Sequence, residues 1–401
     1  MCIIFVHWQL CSPSRSFRPL VLYLWVPPKP MNRLPRVLLL IPHLGGGGAE
    51  QVTAMLAQGF ARQKYELHLG IVTGTAQGPE RLPSPVAVHA LGARSVRAGA
   101  FRLLRLIRNL KPDLILSGMA HLNFLVLLLR PLFPQGTRVL VRQNGTASAA
   151  LASRELPAYT RLLYRLTYPH ADCVICQTPA MAADLAAVLG TTRTRMAVLN
   201  NPIQVDRIRT TMRQDPAWWT GPGPHLLAVG RLSREKGFDL LVQALAVIRE
   251  QLPNADLLIA GSGPEETALK LQCRRLGLEA AVRFPGNLQD PSECFPGASV
   301  FVLSSRHEGM PNALLEAAAG GLPIVALPAS LGVVDLLRGQ PGVWLASEIS
   351  AAALASALLT ALRALQPGER FAHAFIEPFR FERAIRAYQD LIDATLNHPL
   401  G

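Results

Sequence analysis

Along this chain, short unbroken apolar runs alternate with longer stretches in which apolar residues recur at helical spacing. In the first half the runs are Arg36 to Pro42 (RVLLLIP), Glu66 to Val72, Leu114 to Ser117, Val139 to Arg142 and residues 172–177. A short apolar run without polar alternation predicts a strand covered on both faces, the habit of parallel sheets. The stretches between them, up to about Arg62, from Arg97 to Leu110, over 160–170 and over 179–189, carry the helical period. The second half repeats the scheme, with strands predicted at Leu226 to Val229, Asp256 to Ala260, Ala281 to Phe284, Ser299 to Leu303, Pro323 to Leu327 and Val343 to Ala346. Helices are predicted over Phe238 to Gln251, 265–276, Pro311 to Gly320, 331–338, from Ser350 onward, and Phe379 to Leu396. Two successive alternations predict an α/β chain with two doubly wound parallel sheets, and 401 residues suit two domains. Residues 75–95 read as a polar, Gly/Pro-rich connection, and 203–223, with Trp218 and Trp219, as a linker. The helix from Arg97 to Leu110 is expected to turn Phe101, Leu104, Ile107 and Leu110 to one side and Arg102, Arg105, Arg108 and Asn109 to the other.

Charge changes this picture more than composition does. Residues 1–200 hold 22 basic and 7 acidic side chains, a balance of +15, whereas residues 201–401 hold 18 and 20, a balance of −2. A basic half calls for an anionic partner, either nucleic acid or an anionic membrane surface. Neither a nucleic-acid module nor aromatic platforms accompany the charge, so the membrane surface is the expected partner and nucleic acid is not. No apolar run reaches the ~20 residues of a membrane helix, and Leu122 to Leu129 reads as a buried helix. Six cysteines in a chain this long do not make a secreted disulfide framework. Cys173 and Cys176 lie inside an apolar run with no second pair beside them and read as small buried thiols. Residues 1–30, two apolar clumps around SPSRSFRP, fit neither a span nor a signal peptide. They are expected to be a disordered extension or to precede the true start.

The chemistry concentrates in FVLSSRHEGMPNALLEAAAGG, Phe301 to Gly321. A strand gives way to a loop carrying Glu308, then to a helix whose first position suits Pro311 and whose glycine end suits a left-handed cap. The N–H groups of Met310 to Ala313 would face the loop and, with the helix dipole, favour an anion or hydroxyl oxygens. Glu308 and Glu316 flank that site, and carboxylates placed there need hydrogen-bond donors such as sugar and ribose hydroxyls. Upstream, Arg231 and Lys236 bracket a turn that opens a helix at the carboxyl end of a strand. A planar fork and a point charge in that position suit a diphosphate.

Glu308-Gly-x-Pro-Asn, with Glu316 eight residues after Glu308, resembles the E-x7-E signature of retaining GT-B glycosyltransferases, in particular the GT4 family. Gly47 to Glu50 resembles that family's GGAE turn, Asn201-Pro202 its end-of-domain NP turn, and Gly230-Arg231 with Lys236-Gly237 its GR-x4-KG spacing. The resemblance runs from about 36 to 396. It implies a GT-B fold of two Rossmann-like domains facing a central cleft. An acceptor-binding domain would span 31–205, a nucleotide-sugar-binding domain 206–377, and a helix within 378–401 would cross back to the first. By the same resemblance Glu308 binds the donor sugar's hydroxyls and Glu316 the ribose, while Arg231 and Lys236 hold the diphosphate. Gly47, Gly48, Gly230, Gly286, Gly309, Met310, Pro311 and Asn312 would line the donor. His121, Arg142 and Asn144 are candidates for acceptor or sugar contacts.

The implied reaction is retaining transfer of a hexose or N-acetylhexosamine from a nucleotide-sugar, UDP-sugar ahead of GDP-mannose, to a saccharide or lipid-linked saccharide in surface polysaccharide or glycoconjugate assembly. No two aspartates are separated by one residue, so the Asp-x-Asp clamp of the other glycosyltransferase fold is absent. No metal and no other cofactor are therefore expected. The expected location is cytoplasmic, peripheral at the membrane's cytoplasmic face. The alternative of another class is a catalytically silent nucleotide-sugar-binding protein on the same fold.

Overall fold

The computed structural model describes residues 33–43, 47–60, 64–74, 86–152, 159–191, 194–215 and 217–397. The expectations for residues 1–30 lie outside them. The first unit contains β1 (Arg36–Ile41), α1 (Gly48–Gly59), β2 (Glu66–Thr73), β3 (Ala87–Ala93), α2 (Ala100–Leu110), β4 (Leu114–Gly118), α3 (Ala120–Leu129), β5 (Arg138–Arg142), α4 (Ala147–Ala152), α5 (Thr160–Thr167), β6 (Cys173–Cys176), α6 (Pro179–Leu189) and β7 (Met196–Val198). The second contains α7 (Val205–Thr211), β8 (His225–Val229), α8 (Phe238–Gln251), β9 (Asp256–Ala260), α9 (Glu266–Arg275), β10 (Val282–Gly286), β11 (Val300–Leu303), α10 (Asn312–Ala319), β12 (Ile324–Ala326), α11 (Leu331–Leu337), β13 (Val343–Leu345) and α12 (Ala351–Ala364). The last helix, α13 (Phe381–Asn397), belongs to the first unit, which the chain leaves after Pro202 and re-enters at Phe381. Among the described residues no helix is long and apolar enough to cross a membrane.

Both sheets are parallel throughout, in the orders β3-β2-β1-β4-β5-β6-β7 and β10-β9-β8-β11-β12-β13. Strand order reverses between β1 and β4 in the first and between β8 and β11 in the second. At such a reversal the connections leave toward opposite sides, so the loops at the strands' carboxyl ends part and leave room for a ligand.

The unbroken apolar runs serve both faces of each sheet. In β1, Val37, Leu39 and Ile41 face a core closed by α1 and α13, while Leu38 and Leu40 face the layer of α2, α3, α5 and α6. In the second unit, Leu226 and Ala228 of β8 face α8, α9 and α12, and Leu227 faces α7, α10 and α11. Cys173 and Cys176 are buried in β6, where burial pushes both thiols up to about 12. They are core residues, not ligands.

Three readings of the sequence are corrected. The polar connection over 75–95 contains β3, an edge strand whose small and exposed residues (Ala87, Ala90, Gly92) hide its alternation. The supposed linker over 203–223 contains α7 and the buried Trp219, which stacks on His225 at 4.9 Å and donates to the Cys294 carbonyl at 2.9 Å. On α2 the inward residues are Leu103 and Ile107, and Phe101 is 75% exposed among the arginines.

Candidate active site

The reversal in the second sheet brings together the loops after β8 and β11, which carry Arg231, Lys236 and Glu308. The Lys236 ammonium donates to Glu308 Oε1 at 2.6 Å, and the Ser305 hydroxyl donates to the same oxygen at 2.7 Å. Both members are sheltered, the side chains being 24% and 10% exposed, so the pair is less screened than a surface ion pair. Glu308 Oε2 takes part in neither bond.

Backbone packing explains the shape of these loops. Gly237 follows a short turn over Arg234 to Lys236 with φ +63, and a Cβ there would stand 2.0 Å from the Ser304 carbonyl oxygen. Only glycine fits. Ser304 Oγ donates to the Lys236 carbonyl at 2.8 Å, fixing the lysine's backbone against the β11 loop. On the other side, Gly230 N–H donates to the Ala260 carbonyl and Leu232 N–H to the Ser262 carbonyl, each at 2.9 Å. Gly261 makes this approach possible, since its Cβ would lie 1.9 Å from the Gly230 carbonyl oxygen. Gly286 closes β10 at φ +80, and its carbonyl accepts from Gly261 N–H at 2.8 Å.

Sequence reasoning missed the clamp that joins the two loops. Arg306 grips both oxygens of Asp239 at 2.7 Å and also donates to the Arg234 carbonyl at 2.9 Å, while its own N–H reaches the Glu235 carbonyl at 2.7 Å. Burial opposes charge on Asp239, but the hydrogen bonds and charge of Arg306 prevail and hold the carboxyl below its ordinary range. The Asp239 bonds hold the guanidinium above its own. The only signal in the sequence is a pair of opposite charges, one in the first turn of α8 and one in the loop after β11, which spacing does not connect.

The helix start differs from the expectation in one respect. Pro311, at ψ 109, is the N-cap residue of α10, and Asn312 is the first helical residue. The first intrahelical bond runs from Leu315 N–H to the Pro311 carbonyl at 3.3 Å, so the N–H groups ahead of it are those of Asn312, Ala313 and Leu314. At the other end the left-handed residue is Gly321, φ +75, while Gly320 remains right-handed. Gly309 and Met310 are buried, and the Met310 side chain belongs to the core, so only their backbone is offered to a ligand. Glu316 is half-buried one turn into α10, and Arg231 lies exposed on the β8 loop. The structure thus joins Lys236 directly to Glu308, with Arg231 and Glu316 on the elements that flank them.

In the first unit the reversal between β1 and β4 holds His43, Gly47 and His121. Gly47 caps α1, Gly48 begins it, and buried Glu50 curls back over the turn with Oε1 3.5 Å from His43 Nδ1. His121 stands at the start of α3, after Met119 with its unusual φ of +77. Its ring reaches solvent, yet partial burial and then the neighbouring His43 ring push its imidazole down. Arg142 departs from its expected role. It is 2% exposed, donating from Nε to the Tyr388 hydroxyl at 2.9 Å and from Nη2 to Asn201 Oδ1 at 2.8 Å, which ties β5 to α13, while its buried Nη1 has no hydrogen-bond partner among the described residues. Asn144 is half-buried and accepts from Gln177 Nε2 at 3.3 Å.

Residues 223–364 match the family described as glycosyl transferases group 1, and residues 46–207 match Glycosyltransferase Family 4. The lipopolysaccharide core biosynthesis glycosyltransferase LpsE of Rhizobium meliloti is 31% identical over 59% of this chain and 65% of its own length. An uncharacterized glycosyltransferase of Haemophilus influenzae is 37% identical over 31% of this chain, a match spanning about a third (35%) of that relative. A Campylobacter jejuni N-acetylgalactosaminyltransferase, named for a diphospho-undecaprenol acceptor, is 26% identical over 74% of this chain and 82% of its own length. Among solved structures, Anabaena HepE in complex with UDP and glucose superposes with a TM-score of 0.72 at 17% identity, covering 89% of this chain and 98% of that one. WaaG, a glycosyltransferase of lipopolysaccharide biosynthesis, gives 0.67 at 18%, covering 89% and 99%. Twin parallel sheets, the loops at their reversals and both family matches agree: the chain belongs to the GT4 family of glycosyltransferases and has the GT-B fold.

Proposed function

We propose that the protein is a retaining glycosyltransferase that moves a hexose or N-acetylhexosamine from a nucleotide-sugar, UDP-sugar first, to a saccharide or lipid-linked saccharide in lipopolysaccharide or surface polysaccharide assembly. The observation that carries the reading is the sheltered Lys236–Glu308 pair at the strand reversal of the second unit. The chemistry of that pair fits a donor whose diphosphate takes the ammonium while its sugar hydroxyls donate to the carboxylate. The names of LpsE and of the Campylobacter enzyme support the acceptor class, and the UDP complexes of HepE support the nucleotide. The basic first unit is the proposed home of the acceptor, and the protein works as a peripheral protein on the cytoplasmic face of a membrane.

Departure of the nucleoside diphosphate leaves an oxocarbenium-like carbon and negative charge on the leaving oxygen. Stabilising that charge is the main task. Arg231, Lys236 and the N–H groups at the start of α10 would meet it, and with these cations no metal or other cofactor is required. The acceptor hydroxyl would attack from the face the phosphate leaves. Its proton passes to the departing phosphate oxygen as the new C–O bond forms and the old one breaks, so configuration is kept without an enzymic nucleophile.

A turnover assay with a panel of nucleotide-sugars, with and without EDTA, tests this reading. Release of nucleoside diphosphate from one donor, retained in EDTA, is expected. Donor binding without any turnover, in the presence of saccharide and lipid-linked acceptors, would instead establish the catalytically silent binding protein.

A further inference from the structure

The helical layer on one face of the first sheet presents a surface that neither the donor chemistry nor the core requires. On α2, Phe101 stands 75% exposed with Arg105 and Arg108 one and two turns further along. On α5, Leu162 and Leu166 are 55% and 58% exposed, one turn apart, beside the exposed Arg161 and Arg165. Leu128 of α3, between them in the layer, is 57% exposed. The three helices are tied together: Arg97, just ahead of α2, donates to the Tyr159 hydroxyl, just ahead of α5, at 3.0 Å. Arg108 donates to the Leu132 carbonyl, beyond α3, at 3.1 Å. Residues 91–170 hold 12 Lys+Arg and two acids. Of those acids, Asp113 is already paired with Arg33 at 2.7 Å.

We propose that the outer face of the α2–α3–α5 layer docks on an anionic lipid bilayer. Leucines and a phenylalanine held outward among arginines match the boundary between headgroups and acyl chains, where apolar tips enter and guanidinium groups meet phosphates. Charge complementarity selects this occupant. Two copies meeting through the face would set arginine against arginine, and a nucleic-acid backbone would leave Leu162 and Leu166 without apolar partners. The proposal rests on the peripheral-membrane part of the proposed function and is tested separately from sugar transfer, because vesicle binding is measured without a nucleotide-sugar.

Full-length protein is floated with vesicles of phosphatidylcholine alone, and of phosphatidylcholine and phosphatidylglycerol in equal parts, at rising salt. Binding to the anionic vesicles only, weakened by salt, is expected. Arg105→Ala with Arg161→Ala should lower partition about thirtyfold, equivalent to ~1 kcal/mol for each cation. Phe101→Ser with Leu162→Ser should lower it roughly tenfold or more. Both double variants should keep the parent's melting temperature, since all four side chains face solvent. Absence of binding, equal binding to neutral vesicles, or unchanged partition in the arginine variant would overturn the proposal. So would tighter binding to an oligonucleotide than to the vesicles, or self-association abolished by Phe101→Ser.

Discussion

Lys236 and Glu308 were legible in the sequence because each sits in a contiguous loop motif whose spacing survives folding. Their partner Arg306 was not, because its meaning lies in a contact with Asp239 that only the sheet creates. Lys236→Ala is expected to lower kcat more than a hundredfold, roughly 3 kcal/mol of lost transition-state stabilisation, and unchanged turnover would remove Lys236 from the mechanism. Arg306→Ala should act through position, raising KM for the donor more than it lowers kcat. Arg306→Lys should recover only part of the loss, since an ammonium cannot bridge both Asp239 oxygens. Equal recovery by lysine would show that charge alone matters there. Gly237→Ala meets a positive φ and the Ser304 carbonyl at once, and is expected to cost roughly 1–3 kcal/mol in urea denaturation. Arg142 was named through the resemblance of its loop, and nothing local in the sequence shows that Tyr388 of α13 will take its Nε–H.

Strands and helices followed from period wherever a run was long, and failed where two stripes fit the same residues. On α2, positions 101, 104, 107 and 110 and positions 103, 106, 107 and 110 both have helical spacing, and only the packing surface decides between them. The α13 helix makes a testable element-level claim. Its Tyr388 hydroxyl receives the Nε–H of buried Arg142, so Tyr388→Phe removes a hydrogen bond from an enclosed charge. The expected loss is about 1.5–3 kcal/mol, visible as a melting point several degrees lower, and an unchanged melting point would show the tie to be idle. The loop clamp carries its own pH signature. Asp239 titrates below its ordinary 3.8 in the fold, so its stabilisation is complete above 3.8 and disappears as pH falls through the lower folded value. The difference in urea midpoint between the parent and Arg306→Ala should therefore narrow below that point. A constant difference would contradict an ionic clamp.

The whole molecule is the level at which the sequence was most readable, since two series of buried strands joined by helices leave little choice but paired doubly wound sheets. The exact exchange between units was less so. The sequence reading divided the chain after 205 and after 377, and the contacts divide it after Pro202 and after Arg380, where Ile203 pairs with Arg380 as an isolated bridge. No local pattern marks such a pairing. The charge asymmetry likewise announced a surface without locating it, because exposure of Phe101 and Leu166 is a property of the folded layer. The central claim, that the second unit holds a nucleotide-sugar through Lys236 and Glu308, is tested most directly by calorimetric titration of the full chain and its Lys236→Ala and Glu308→Gln variants with a panel of UDP- and GDP-sugars. The account predicts that one donor binds the parent and binds each variant at least tenfold more weakly; undiminished affinity in both variants, or no binding of any donor by the parent, would contradict it.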